Sequence, residues 1–354
     1  MLGRQSWLRR HQLAQDEPVV RFCVRRTIGE NRFRYSSGRR FESEIVRLSY
    51  LTTLHVADLP NRSRVAEPAR GGIAFLELMK LRITFFVGMS VLFGIVLSSG
   101  SVSLTSAVAA FGVFLLASGS AALNHYQERE ADSLMHRTKH RPLPSGRISP
   151  EAALFFVVLL SLVGSSLMYV SGNLGALIIS WLAFIWYNGF YTPMKKWTAF
   201  AVIPGSLIGA LPMMSGWVIG GGNLLDPRLI VIALFFFVWQ APHFWLLMMV
   251  YSSDYERSGF PTLRRYFSGS ALALFIYFWI VALVFSSILF LAARIIQSFV
   301  TGSVLILLGM WLLGSTWQIV SHSGGKRVYR AAFMKINMYV LMVSVAVLVE
   351  NVLR

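Results

Sequence analysis

The chain has 354 residues, of which 55% are hydrophobic and 14% are charged, and its formal net charge is +17. A soluble globular protein of this composition would leave far too much apolar surface in contact with water. The mean hydropathy of +0.58 points the same way. The composition therefore predicts an integral membrane protein.

The first 70 residues are polar and Arg-rich, and they lack the apolar core of a secretory signal peptide. The acid-free opening MLGRQSWLRRHQLAQ would suit a transit peptide, but acidic residues follow from Asp16 onward. We expect residues 1–70 to be a basic, disordered extension, or upstream sequence that is not translated. The transmembrane domain is predicted at 71–354, beginning with a short interfacial helix at 71–82.

Apolar stretches long enough to cross a bilayer follow this segment. A helix needs about 20 residues to cross roughly 30 Å of hydrocarbon. Nine stretches qualify, and they lie at 83–100, 102–123, 152–171, 174–192, 198–219, 229–250, 271–293, 298–320 and 333–352. Each is continuously apolar instead of alternating, which favours helices over a β-barrel. The predicted fold class is an all-α membrane protein, a bundle of nine transmembrane helices.

The basic residues predict the orientation of the bundle. The loops after spans two, four, six and eight carry Arg137, Lys139, Arg141, Lys195, Lys196, Arg257, Arg264, Arg265, Lys326, Arg327 and Arg330. Only Arg228, Arg294 and Arg354 fall on the other side. The positive-inside rule then places the N-terminus and the even-numbered loops in the cytoplasm of a bacterium, or less favourably in the equivalent compartment of a mitochondrion. These bases explain the net charge without nucleic acid.

A polar run, NHYQEREADSLMHRTKHRPLPSG at 124–146, directly follows the second predicted span. Asn124, Glu128 and Asp132 recur every fourth residue, so a continuing helix would carry all three on one face over roughly 12 Å. Oxygen ligands of this kind, completed by water and phosphate oxygens, suit Mg²⁺. The alternative is an ordinary charged loop, but the regular spacing at a membrane edge favours a metal site.

Bases follow these acids within one or two helical turns. Arg137, Lys139 and Arg141 are suited to phosphate, arginine in particular through its bidentate fork. The loop after span six repeats the combination, with Asp254 and Glu256 among several arginines. Two such loops on one side of the membrane could face each other across the bundle and share metal ions.

Polar residues also lie inside span six, in the segment FFFVWQAPHFW. Gln240 and His243 are three residues apart, on either side of Pro242, which interrupts the regular hydrogen-bond ladder. Because polar groups inside a bilayer are costly, they usually face the bundle interior. They form either a hydrogen-bonded contact between helices or part of a ligand site. The other histidines considered as ligand contacts are His125, His136 and His140.

Several of these segments together resemble a known family. The run NHYQEREADSLMHRTKHRPLPSGRIS is similar to the signature N-x-x-x-D-x-x-x-D-x-x-M-x-R-T-x-x-R-P-L-x-x-G, and it occurs with YTPMKKWT, IPGSLIGALPMMSGW and WQAPHFW followed by DYERSGFP. In these motifs the chain resembles the UbiA superfamily of intramembrane prenyltransferases, and within it the protoheme IX farnesyltransferases. The likeness covers residues 76 to about 350. Glu128 and Glu130 stand where that family commonly has Asp, which keeps the charge on a longer arm.

The resemblance implies a UbiA-like bundle that transfers a farnesyl group from farnesyl diphosphate to the vinyl group of haem B, giving haem O for cytochrome oxidase assembly. It implies Mg²⁺ as cofactor, haem B as substrate and haem A synthase as a candidate partner. The implied catalytic residues are Asn124, Glu128, Asp132 and Asp254, with the three acids as metal ligands. The implied diphosphate-binding residues are Arg137, Lys139, Arg141, Lys195 and Lys196, and the implied haem-binding residues are His243, Gln240 and Tyr255.

Two other functions remain open on the sequence alone. A prenyltransferase acting on an aromatic quinone precursor would share the acidic sites, although the WQAPHF segment and the Thr-Pro motif speak against it. A polytopic transporter without chemistry would also have nine spans and positive-inside loops, but it has no need of metal-spaced acids on one face.

Overall fold

The computed structural model describes residues 71–321 and 325–353, so the predicted extension at 1–70 lies outside the described residues. Within these ranges the chain is helical and contains no strand. The helices are α1 Gly71–Leu78, α2 Leu81–Ser99, α3 Leu104–Leu134, α4 Pro150–Val170, α5 Leu174–Met194, α6 Ala199–Ile219, α7 Pro227–Val250, α8 Ser252–Arg257, α9 Gly269–Ala292, α10 Phe299–Ser321 and α11 Lys326–Leu353.

Nine helices of the described chain are long and apolar enough to cross a membrane, which confirms the predicted spans. The short helices α1 and α8 lie outside this set. Large apolar side chains such as Phe155, Phe278 and Phe299 are more than half exposed, as expected for a surface that lipid covers. The protein is an integral membrane protein.

Two helices extend beyond the predicted spans. Helix α3 continues to Leu134 instead of ending at 123, because a polar helix keeps its backbone hydrogen-bonded after it leaves the apolar layer. Helix α11 begins at Lys326 instead of 333, so Lys326, Arg327 and Arg330 occupy its first turns and not a loop. The extension of α3 carries the predicted acidic face.

Small residues allow helices to approach closely. A Cβ atom on Gly112 of α3 would lie 2.7 Å from the carbonyl oxygen of Gly164 on α4, and one on Gly164 would lie 2.6 Å from the carbonyl oxygen of Gly112. On α6, a Cβ atom on Gly216 would overlap the carbonyl oxygen of Val91 on α2. Backbone-to-backbone packing of this kind fixes helix positions in membranes, where the hydrophobic effect between helices is weak.

Helix α7 packs against α6, α9 and α11, and its buried side chains belong to the largest apolar core of the described chain. Asp226 caps its first turn, with the Asp226 carboxylate accepting from the Arg228 backbone N–H at 2.8 Å. Gln240, one of the buried polar residues of the chain, lies on this helix.

The four basic loops converge at one end of the bundle. Lys195, after α5, contacts Glu128 on α3. The guanidinium of Arg137 lies 4.8 Å from the ring centroid of Tyr251, and the ammonium of Lys326 lies 6.0 Å from the same centroid. These contacts confirm the prediction that the loops after the second, fourth, sixth and eighth spans share one side.

Candidate functional site

The polar face of α3 is buried. Asn124, Glu128 and Asp132 are 1%, 9% and 2% exposed, although each would be well solvated on a free surface. Helix α3 is continuous through all three, so their spacing places them on one face as the sequence predicts. Burying an amide and two carboxylates is costly unless each has a partner.

Each of the three has a cationic partner from a different part of the chain. Lys80 donates to Asn124 Oδ1 at 2.7 Å. Lys195 forms an ion pair with Glu128. Arg141 donates to Asp132 Oδ2 at 2.7 Å. The face of α3 is therefore lined with alternating oxygen acceptors and nitrogen cations.

Lys80 reaches this face through an unusual backbone conformation. It joins α1 to α2 with φ 50° and ψ 50°, in the left-handed region that non-glycine residues seldom adopt. Burial lowers the pKa of Lys80 to about 7, and the nearby guanidinium of Arg141 contributes in the same direction. Lys80 lies in the segment predicted as interfacial, and its ammonium points into the site.

A π-helical turn in α5 aims the next residues at α3. The segment Trp186–Tyr191 is π-helical, and it is held by Asn188, whose side-chain amide donates to Ser120 Oγ at 2.7 Å. The wider turn changes the direction of the residues after it, because one residue of an α-helix corresponds to about 100° of rotation. Thr192 then accepts from Asn124 Nδ2 at 3.1 Å, and Lys195 meets Glu128.

Lys195 is a fixed cation. Burial alone would lower its pKa, but the Glu128 carboxylate outweighs this effect and raises the pKa above its ordinary value. Its ammonium lies 5.3 Å from the ring centroid of Tyr191 and 5.9 Å from that of Phe260, distances at which a π face attracts a cation. Lys195 therefore keeps its charge throughout the neutral range.

The second acidic loop contacts the first. Asp254, which lies in the short helix after α7, is 9% exposed. Its carboxylate oxygens accept from the backbone N–H groups of His136 and Arg137 at 3.2 and 3.4 Å. The expectation that the two loops face each other holds, and Asp254 is the residue that joins them. Glu256 is exposed.

The remaining predicted bases lie at the surface. Arg137, Lys139 and Lys196 are exposed, whereas Arg141 and Lys195 are partly buried. Two cavities, each of about 460 Å³, open beside the site, and both are lined by Lys196. The lining of the first also includes Trp197, Glu256, Arg264 and Arg265. Lys196 thus lines both cavities and is not part of the buried array.

The three predicted haem-binding residues lie in different surroundings. His243 of α7 contacts the side chain of Asn337 on α11. Gln240 is 9% exposed, and its Oε1 atom is buried without a hydrogen-bond partner among the described residues. Tyr255 is partly buried, with its ring 5.9 Å from that of Phe260.

The other histidines divide into two kinds. His125 is 2% exposed, and neither of its ring nitrogens has a hydrogen-bond partner among the described residues. His136 and His140 are exposed in the loop after α3.

The atoms that the site offers to a metal are oxygens. No three His, Cys, Asp or Glu side chains of the described chain lie close enough together to form a metal cage by themselves. Magnesium usually takes one or two carboxylates and completes its octahedron with water and phosphate oxygens. Glu128, Asp132 and Asp254 bring carboxylates to this end of the bundle, which suits magnesium ions that each take one or two of them with phosphate oxygens, and not a closed protein cage.

Comparison with known proteins agrees with this geometry. Residues 87–339 match the model of the UbiA prenyltransferase family. The chain belongs to the UbiA prenyltransferase family. It is 35% identical over 185 residues to the protoheme IX farnesyltransferase of Oleidesulfovibrio alaskensis, a match that covers 52% of this chain and 66% of that one. It is 38% identical over 187 residues to the enzyme of the same name from Geobacter sulfurreducens, covering 52% of this chain and 68% of that one.

A longer match links this UbiA protein to the protoheme IX farnesyltransferase of Christiangramia forsetii, at 28% identity over 301 residues, 83% of this chain and 99% of that one. Among solved structures, a digeranylgeranylglyceryl phosphate synthase superposes with a TM-score of 0.67 at 17% identity, covering 80% of this chain and 99% of that one. A UbiA homologue from Archaeoglobus fulgidus bound to GPP and Mg²⁺ gives 0.52 at 17% identity, covering 75% and 99%. These two structures confirm the UbiA-like fold.

Four residues of the site are not among the predicted site residues. Lys80, Asn188 and Thr192 complete the polar array around α3, and Asn337 contacts His243. Asn188, Thr192 and Asn337 are polar residues within apolar spans, a signal of interior contacts. Lys80 gives no such signal, because a base beside a span is also expected from the positive-inside rule.

Proposed function

We propose that this UbiA protein transfers a farnesyl group from farnesyl diphosphate to the vinyl group of haem B, giving haem O. The observation that carries the proposal is the buried array in which Lys80, Lys195 and Arg141 alternate with the oxygens of α3, at the end of an apolar bundle. Relatives named protoheme IX farnesyltransferase support the choice of donor and acceptor.

The array suits a metal diphosphate. Glu128, Asp132 and Asp254 would hold Mg²⁺ together with diphosphate oxygens, and Asn124 would add an amide oxygen. When bound, the metal neutralises charge on the departing diphosphate. The Archaeoglobus fulgidus homologue bound to GPP and Mg²⁺ supports a metal diphosphate as the ligand of this fold. Lys80, Lys195 and Arg141, which pair with the acceptors of α3 in the described state, would then be available to the phosphate oxygens.

The reaction begins with cleavage of the bond between the allylic carbon and the diphosphate oxygen, and the electron pair leaves with diphosphate. Lys195 and Arg141 would stabilise the charge that develops on the leaving oxygens, because fixed cations in a dry site act without reorganisation. Arg137, Lys139 and Lys196, at the surface, would guide the diphosphate to the site.

The terminal carbon of the haem vinyl group then uses its π electrons to form a bond to the allylic carbon. The cation left on the inner vinyl carbon takes a water molecule, which releases one proton and leaves a hydroxyl. The apolar interior excludes water from the allylic cation before this step. The rings of Tyr191 and Phe260, which already face the Lys195 ammonium, present π surfaces on the same side.

The proposal also covers the membrane that holds the protein and the protein that acts next to it. The positive-inside bases favour the bacterial inner membrane, with the site at the cytoplasmic face, over the mitochondrial inner membrane. Haem A synthase, as consumer of the product, is the proposed neighbouring protein. A prenyltransferase acting on an aromatic quinone precursor is the alternative, since it would use the same array for the diphosphate.

The test asks which of two acceptors the protein prenylates. The purified full chain in detergent receives farnesyl diphosphate, Mg²⁺ and either haem B or an aromatic quinone precursor, and the products are separated and weighed by mass spectrometry. The proposal requires a haem product heavier by one farnesyl group and one hydroxyl. Prenylation of the quinone precursor alone would assign the alternative function.

A further inference from the structure

The first of the two cavities, of about 460 Å³, opens between two segments at the end of the bundle where the basic loops converge. One wall is the junction of α5 and α6, which contributes Lys196 and Trp197. The other wall is the loop that follows α8, which contributes Phe260, Arg264 and Arg265. Because Lys196, Arg264 and Arg265 are all exposed, the cavity is open to water.

The backbone that carries the two arginines is anchored in the bundle. They belong to a 3-10 turn, Leu263–Arg265, and Leu263 is fully buried in the largest apolar core of the described chain. The backbone N–H of Arg265 donates to the carbonyl oxygen of Thr262 at 3.1 Å, and Thr262 is also buried. A fixed turn therefore holds both guanidinium groups beside the same cavity.

The cations of this cavity have no acidic partner. Within the described part of the chain, Lys196, Arg264 and Arg265 form no ion pair, in contrast to the cations of the buried array. Among the described lining residues one is acidic, Glu256, so three cations face the cavity against one carboxylate. A concave surface with this excess of positive charge attracts an anion.

Phe260 separates the cavity from the proposed diphosphate site. Its ring lines the cavity, and the ring centroid lies 5.9 Å from the ammonium of Lys195. Lys195 and Lys196 are consecutive, with Cα atoms about 3.8 Å apart, yet Lys195 pairs with Glu128 whereas Lys196 lines the cavity. A ligand in the cavity would therefore lie one aromatic ring away from the cation that receives the leaving group.

We propose that this cavity binds the propionate carboxylates of the acceptor, and that Arg264 and Arg265 are the residues that bind them. This inference rests on the proposed function, since it assigns the polar edge of haem B. Haem B carries two propionates on the half of its ring away from the vinyl groups. Carboxylates are costly to place in hydrocarbon, so this edge has to stay near water while a vinyl group enters the bundle.

The lining suits such an edge in two respects. The planar fork of each arginine matches the two oxygens of a carboxylate. The indole of Trp197 is 77% exposed and, with Phe260 and Pro261, offers an apolar surface to the ring that carries the propionates. The cavity thus combines cations for the two acids with flat apolar groups for the macrocycle.

The competing interpretation treats the two arginines as solvated positive-inside residues and Trp197 as an interfacial anchor. It predicts that the arginines do not distinguish haem B from its dimethyl ester. Carboxylate binding predicts a difference, because the ester keeps the iron, the ring and the vinyl groups but lacks both negative charges.

The experiment compares the two compounds, first by binding without transfer. The full chain in detergent, without farnesyl diphosphate, is titrated with haem B and separately with haem B dimethyl ester, and the ratio of the ester's Kd to that of haem B is the acid preference. The double variant Arg264→Gln with Arg265→Gln should lower the acid preference about 5- to 30-fold, the effect of two partly exposed charge pairs. Its unchanged affinity for the ester would also show that it is folded.

Two matched variants make the result specific. Arg327→Gln with Arg330→Gln removes two exposed arginines on the same side of the membrane but outside the lining of either cavity, so the acid preference should stay at the wild-type value. Arg264→Lys with Arg265→Lys keeps the charges without the fork and should give an intermediate value. In wild type, the preference should shrink at about 1 M salt, where charges are screened within roughly 3 Å.

Transfer assays with Mg²⁺ and farnesyl diphosphate distinguish other anions that share this chemistry. In the Arg264→Gln, Arg265→Gln variant, the KM for haem B should rise while the KM for farnesyl diphosphate stays the same. A higher KM for farnesyl diphosphate, with acid and ester equally affected, would assign the cavity to diphosphate. Loss of activation by added phosphatidylglycerol, again with acid and ester equally affected, would assign it to a lipid headgroup. Either result would overturn the inference.

The outcomes also separate the inference from the proposed function. Haem O formation with the same acid preference in wild type and in the arginine variant would remove the carboxylate site and keep the reaction. An acid preference that depends on the two arginines, without haem O formation, would keep the site and remove the reaction. No binding of haem B by wild type would overturn the inference outright.

Discussion

Replacing Lys195 by Met removes the ammonium that pairs with Glu128 but keeps an unbranched side chain of similar length. If Lys195 stabilises charge on the departing diphosphate, its loss should lower kcat/KM by about 100- to 1,000-fold, or roughly 2.7–4 kcal/mol, as for other fixed donors in dry sites. The side chains of Lys195 and Glu128 are 19% and 11% exposed.

The same substitution also has a structural cost. Removing one partner of a fully buried ion pair costs about 3–5 kcal/mol, because the other charge remains buried. Here we expect about 1–3 kcal/mol, since the pair keeps some contact with solvent and the charge of Lys80 also lies near Glu128. The midpoint of thermal unfolding in detergent should fall accordingly.

The double variant Lys195→Met with Glu128→Gln tests the structural cost alone, because Glu128 is also a proposed metal ligand whose loss would lower activity by itself. It removes both charges, so the unfolding midpoint should return close to that of wild type, while kcat/KM should remain at least about 100-fold reduced. Lys335→Met is the matched control, because Lys335 is also partly buried but donates to the carbonyl oxygen of Ser315. The reasoning fails if the double variant recovers activity to within tenfold of wild type, since the pair would then serve only the fold.

Three further predictions concern other parts of the molecule. Asp132→Asn should lower prenyl transfer at least about 100-fold and raise the Mg²⁺ concentration needed for half-maximal rate, which a metal titration would reveal; an unchanged titration would exclude Asp132 as a ligand. Lys80→Met should raise the KM for the prenyl diphosphate about tenfold or more. An unaltered KM would show that Lys80 has only a structural role beside α3. Gly216→Val should cost about 1–3 kcal/mol or more through overpacking and lower the unfolding midpoint, whereas Gly314→Ala, where a Cβ atom meets nothing within 4 Å, should leave the midpoint unchanged; equal effects would contradict the packing argument.

The spans could be predicted from sequence because length and hydropathy are local properties that a bilayer constrains strongly. The acidic face could be predicted for a similar reason: Asn124, Glu128 and Asp132 share one helix, so their spacing alone gives their relative direction. The position of Asp254 at the same end of the bundle as this face could be predicted by counting helices, since α3 and α7 end on the same side of the membrane.

The other parts of the site depend on features that spacing does not reveal. Lys80 enters through a left-handed backbone conformation at the junction of α1 and α2. Lys195 and Thr192 meet α3 because a π-helical turn redirects the end of α5. Asn337 and His243 come together from helices that are far apart in sequence, and only their packing brings the two side chains into contact.

Haem O formation by the full chain, measured with and without Mg²⁺ and beside the Asp132→Asn variant, is the most direct test of the proposed activity. Haem B and farnesyl diphosphate are supplied, and the product is identified by its mass. Wild type with Mg²⁺ should yield haem O, and the product should be lost both without metal and in the variant. No haem O from folded wild type across a range of metals and detergents would exclude farnesyl transfer to haem B as the activity.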